Sequence, residues 1–125
     1  METERRMNER FKISLPIRLE WDDAESGRRV VEDGRTENIG FTGTLVHLPR
    51  NLPRVGSEVK LAVLEAKGAE VIVVLASVLR IERNPAHPLA ALRLSSDAAE
   101  KWRINVCNNK ELIEAFSENA EEYEN

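Results

Sequence analysis

From Ile13 to Trp21 the chain alternates without a break. Ile13, Leu15, Ile17, Leu19 and Trp21 fall on one face, and Ser14, Pro16, Arg18 and Glu20 fall on the other. A period of two is the signature of a half-buried β-strand, because successive side chains point to opposite faces of a sheet. Pro16 has no N–H to give a neighbouring strand, which places it at a strand start or a sheet edge. A strand with one apolar face must find partners, so the rest of the chain is read for them.

Partners follow at short intervals. Arg28 to Glu37 is weakly patterned around Val30 and Val31, and Asp33-Gly34 predicts a turn and hence a short hairpin. Thr44 to Leu48 is a strand, and in Glu58 to Glu65 Val59, Leu61 and Val63 point inward with Lys60 outward. Val71 to Glu82 is long and apolar on both faces as far as Val78, which predicts a strand facing a barrel interior on one side and a covering element on the other. Asn84-Pro85-Ala86-His87-Pro88 breaks it before a last strand, Leu89 to Leu94.

After Ser95 the period changes. Asp97 with Glu100 has the spacing of a capping box, and Ala98, Trp102 and Val106 recur at helical intervals. Asn108 with Glu111 predicts a second cap, ahead of Leu112, Ile113, Phe116 and Ala120. These are two short helices or one broken helix whose apolar stripe covers a barrel mouth. The predicted fold is an all-β, six-stranded antiparallel barrel with a C-terminal helix. Residues 1–12 form a flexible arginine-rich head, 13–95 the barrel, and 96–125 the helical segment with its acidic tail.

At 125 residues the chain has the length of one domain. Its net charge of −4 is unevenly spread: five basic residues against three acidic from Met1 to Arg18, and three against eight from Asp97 to Asn125. An acidic tail argues against binding long nucleic acids, whose affinity comes from neutralised phosphates, but is compatible with a small anion held by the head. Cys107 is the only cysteine, which rules out a disulfide framework or a cysteine-based zinc site and points to the reducing cytoplasm. No apolar leader opens the sequence and no apolar run is long enough for a membrane-spanning helix, so no membrane insertion is expected. His47 and His87 have no carboxylate or cysteine at metal-ligand spacing, no glycine-rich phosphate loop is present, and no nucleophile is paired with a base. The chain reads as a binding protein, not an enzyme, and needs no cofactor.

Two stretches carry the binding chemistry. Glu4-Arg5-Arg6-Met7-Asn8-Glu9-Arg10 places three arginines within six positions, just ahead of the first strand. A guanidinium grips phosphate or a guanine edge in bidentate fashion and stacks on bases. Asn38-Ile39-Gly40-Phe41-Thr42-Gly43 offers a polar side chain to a base edge. Its two glycines either shape a bulge or turn or let a ligand approach the backbone closely.

In this order, with the strand Ser14-Leu15-Pro16-Ile17-Arg18-Leu19-Glu20-Trp21 between them, the two stretches resemble the PilZ domain family, bacterial receptors for the second messenger cyclic di-GMP. The resemblance covers about residues 5–95 and implies the same six-stranded barrel with a C-terminal helix. It further implies that Arg6 and Arg10 grip guanine edges and phosphates of cyclic di-GMP, that Arg5 is an additional arginine, that Asn38 contacts a guanine, and that Gly43 fills the final glycine position of the [Asp/Asn]-x-Ser-x-x-Gly motif. Gly40 departs from the pattern, standing where the family usually has serine. One neutral hydrogen bond is worth roughly 0.5–1.5 kcal/mol, less than a bidentate arginine contact at about 1–3 kcal/mol, so the departure predicts weakened rather than abolished binding.

The resulting expectation is a cytoplasmic receptor, monomeric or homodimeric, whose head becomes ordered on cyclic di-GMP and which signals through an unidentified protein partner. The alternative is a degenerate PilZ interaction module, for instance in a pilus or motility assembly, that does not bind cyclic di-GMP. A barrel for single-stranded RNA would need aromatic stacking platforms, for which only Trp21 and Phe41 are candidates.

Overall fold

The computed structural model describes residues 10–116. Seven strands come first in the chain: β1 (Arg10–Phe11), β2 (Pro16–Asp22), β3 (Arg29–Gly40), β4 (Gly43–His47), β5 (Glu58–Leu64), β6 (Glu70–Glu82) and β7 (Leu89–Leu94). Helix α1 (Ser96–Trp102), a π-helical turn (Arg103–Cys107) and helix α2 (Lys110–Ala115) follow.

Strands β2 to β7 form a closed six-stranded antiparallel barrel in the order β3-β2-β5-β6-β7-β4, with β4 pairing back onto β3. This is the architecture that the alternating segments predict. Closure leaves the six strands no unpaired edge, and β1 adds two residues to the far side of β3. Arg10 and Phe11, placed by the sequence in the head, are thus hydrogen-bonded strand opposite Gly40 and Ile39.

The barrel interior is filled by the alternating faces. Leu15, Ile17, Leu19 and Trp21 meet Val59, Leu61 and Val63 of β5, Val74 and Val78 of β6, and Ala90, Leu92 and Leu94 of β7. Pro16 is the first residue of its strand, where its missing N–H breaks no ladder bond. Trp102, Val106 and Leu112 close the core from the C-terminal segment, and Trp102 and Val106 are wholly buried.

Two expectations about the strands are corrected. Arg28 to Glu37 is not a hairpin but most of the 12-residue strand β3. Asp33 pairs with Arg18 in register and in an ion pair of 2.9 Å, while Gly34 pairs with Ile17. A Cβ on Gly34 would lie 2.2 Å from the carbonyl oxygen of His47, so this glycine serves a close approach of β4 to β3 rather than a turn. Strand β6 is not covered on both faces: Ile72, Val74, Ala76 and Val78 point inward, but Leu75 and Leu79 are each 50% exposed.

The helix caps also lie elsewhere. Ser95, not Asp97, caps α1, its extended backbone presenting the hydroxyl to the Ala98 N–H. Asp97 instead lies in the first turn, where a carboxylate complements the helix dipole. Asn109, not Asn108, caps α2 through the Leu112 N–H at 3.0 Å.

Candidate functional site

Asn38 to Gly43 spans the end of β3, the two-residue turn at Phe41 and Thr42 and the start of β4, and the structure holds it from four sides. Beneath it, the Thr44 hydroxyl donates to the Asn38 carbonyl at 2.7 Å. From the helical cap, the Trp102 indole donates to the Gly40 carbonyl at 2.8 Å, and the Cys107 thiol approaches the same oxygen at 3.5 Å. From β7, the Leu94 N–H donates to the Thr42 carbonyl at 2.9 Å. On the outer edge, β1 pairs with Gly40 and Ile39. A turn tied this way presents its outer face without rearranging, which lowers the ordering cost of binding.

Arg10 is brought onto this turn. Its Nη1 donates to the Gly43 carbonyl at 3.1 Å and lies 3.5 Å from Asn38 Oδ1, a long contact. Among the described residues no carboxylate pairs with Arg10, so its charge and its remaining N–H groups are available to an anion. Between Thr36 and Asn38 the β3 register shifts, and this bulge at Glu37 re-aims the strand just before Asn38. Gly43 must be glycine for packing as well: a Cβ there would meet the Leu92 carbonyl oxygen at 2.4 Å.

Of the site residues expected from the sequence, Arg10, Asn38, Gly40 and Gly43 therefore converge on one outer patch of the barrel. Arg5 and Arg6 lie outside the described residues. Sequence reading missed Trp102 and Thr44 as supports of the turn. Trp102 was visible only as part of an amphipathic stripe, and Thr44 only as a strand residue. It also missed the neighbours Phe11 and Phe41, whose ring centroids are 6.1 Å apart, and a histidine pair beside the bulge. His47 and His87 stack at 4.3 Å, and His87 Nε2 lies 2.9 Å from Glu37 Oε2. Their wide separation in sequence hides that contact. Burial behind the turn pushes the Cys107 thiol up to about 11, against the smaller opposing effects of the Trp102 contact and the Arg103 charge.

The fold has solved relatives. The PilZ domain of YcgR from Escherichia coli, determined with c-di-GMP, superposes with a TM-score of 0.54 at 17% identity, over 83% of this chain and 92% of that one. The PilZ domain of CeSA from a cellulose-synthesizing bacterium gives a TM-score of 0.51 at 17% identity, over 78% of this chain and 95% of that one. No curated protein matches the sequence. The PilZ domain family does match it, over residues 4–104, a span that contains the arginine head, the whole barrel and helix α1. This chain belongs to the PilZ domain family.

Proposed function

We propose that this protein is a receptor for cyclic di-GMP. The observation that carries the reading is the contact of Arg10 with both Asn38 and Gly43. Two stretches far apart in sequence, each with chemistry suited to a guanine nucleotide, share one rigid outer patch.

In this mechanism Arg10 turns from the Gly43 carbonyl to a ligand phosphate or guanine edge, exchanging a neutral acceptor for a charged one. Arg5 and Arg6 add their guanidinium groups from the segment just ahead of β1. Asn38 contacts a guanine edge, and the backbone at Gly40 and Gly43 lets the ligand lie close. The barrel is the rigid support, and ligand binding orders the head over it. A partner protein reads the changed surface, in the cytoplasm, by differential contact with the two states. The site binds and releases its ligand unchanged, so no catalytic group is needed.

Calorimetric titration with cyclic di-GMP tests the reading, on the wild type and on a variant carrying Arg6→Ala and Arg10→Ala. The wild type is expected to bind, and the double variant to lose at least about a hundredfold, since each charged contact is worth roughly 1.5–3 kcal/mol. Absence of heat from the wild type at high micromolar ligand favours the interaction-module alternative. Full affinity in the double variant overturns the clamp.

A further inference from the structure

The strand register places a second arginine across the site from Arg10. Arg10 pairs with Gly40, and Gly43 pairs with Arg93 of β7. The β3–β4 register matches Ile39 with Thr44, and one further step toward the turn sets Gly40 opposite Gly43. A single row therefore runs Arg10, Gly40, Gly43, Arg93 across four strands. Residues directly opposite in a ladder share a face, so both arginines leave the barrel on its outer side. Arg93 is exposed there between the inward-facing Leu92 and Leu94.

Neither Gly40 nor Gly43 carries a side chain, and the backbone of both is buried. With strands about 4.8 Å apart, three steps along the curved barrel wall separate the two arginine backbones by at most roughly 14 Å. The next row of the same face, Asn38, Leu45 and Ala91, carries only one large apolar side chain. Among the described residues Arg93 forms no ion pair. Glu58 is the acid that shares a hollow of about 150 Å³ with it, across Ser77. A stretch of barrel wall without side chains, between two guanidinium groups that pair with no carboxylate among the described residues, suits a ligand with an anionic group at each side.

We infer that Arg93 is a phosphate-gripping residue of this groove, acting on the ligand from the side opposite Arg10. The inference rests on the nucleotide-receptor reading above, and it assigns that site a second wall.

The test is titration of the full chain with cyclic di-GMP in wild type, R93Q, R93K and R28Q, with thermal melting of each variant to confirm folding. R28Q makes the same charge change beside the opposite end of β3. Arg93→Gln is expected to weaken binding about tenfold or more, the worth of a hydrogen bond to a charged group. Arg93→Lys is expected to lose less, because it keeps the charge without the planar fork. Arg28→Gln is expected to stay within about twofold of wild type, as a screened charge more than a Debye length away should. Wild-type binding with R93Q within about twofold of it overturns the role of Arg93 and leaves the receptor reading standing. An equal loss in R93Q and R28Q overturns it too, because the effect would then be one of net charge. No binding by the wild type overturns both.

Discussion

The indole N–H of Trp102 and the carbonyl oxygen of Gly40, 62 positions apart, are joined by a buried hydrogen bond of 2.8 Å. It ties the helical cap to the turn that carries Asn38 and Gly43. Trp102→Phe keeps most of the packing and removes the indole donor from the Gly40 carbonyl, leaving the Cys107 thiol at 3.5 Å as its side-chain contact. The expected loss is about 1–3 kcal/mol in urea unfolding. Cyclic di-GMP affinity is expected to fall as well, because the turn loses its support from behind. A variant destabilised to this extent with unchanged affinity shows that the turn is held adequately by Thr44 and β7 alone.

Thr36 makes a second buried bridge, between β3 and the segment ahead of β2. Its hydroxyl accepts from the Leu15 N–H at 2.8 Å and donates to the Ile13 carbonyl at 2.5 Å. Thr36→Val preserves shape and leaves two backbone groups unsatisfied. A loss of about 2 kcal/mol or more is expected in urea unfolding, whereas Thr36→Ser, which keeps the hydroxyl, loses less. A larger loss for Thr36→Ser than for Thr36→Val assigns the effect to the methyl group instead.

Gly34 shows why part of the fold was illegible. Asp-Gly in a weakly patterned stretch reads as a turn, because local preference is all a sequence displays. The deciding contact is with His47, on the next strand, and appears only once β4 lies against β3. Gly34→Ala is accordingly expected to destabilise the barrel by about 1–3 kcal/mol, although alanine is the better residue for an ordinary strand. A variant as stable as wild type in thermal melting refutes the close-approach reading.

The strands themselves were legible for the opposite reason. In Ile13 to Trp21, burial on one face writes a period of two directly into the residues, whereas in Glu58 to Leu64 the alternation ends at Leu61 because Ala62 and Leu64 are buried too. The outer face of β6 was misread because Leu75 and Leu79 are apolar yet exposed, and hydrophobicity alone does not say which side is covered. At the site, Arg10, Asn38 and Gly43 stood out as chemistry at a family spacing. Arg93 did not, because its relation to Gly43 is a matter of strand register.

Cys107 provides a prediction in pH. Its thiol is raised to about 11 from 9.0, mainly by burial, so the folded protein favours the neutral form. The unfolded chain releases its proton first as pH rises. The contribution of this thiol to stability is therefore intact below pH 9 and is lost between about pH 9 and 11. At pH 8 the folded thiol is expected to react with an aromatic disulfide reagent at least about tenfold more slowly than the urea-unfolded chain, because only the thiolate attacks. Equal rates show that the thiol is neither shielded nor raised.

Gly40 brings the fold and the site to a single test. Its backbone is fixed by Trp102 on one side and by β1 on the other, so a substitution there changes what the groove presents more than where the turn lies. Gly40→Ser adds a hydroxyl at the position where the resemblance to the family implies a serine. It is expected to tighten cyclic di-GMP binding by about two- to tenfold, the worth of one neutral hydrogen bond. Gly40→Val adds branched bulk without a donor, between Arg10 and Arg93. It is expected to weaken binding by about tenfold or more, with thermal melting of the variant to separate this from a loss of stability at a buried position. Calorimetry on the two variants separates the effects. Weakening by serine and valine alike means that the groove is shaped to a bare backbone at this position. Tolerance of valine means that the ligand does not approach Gly40 at all.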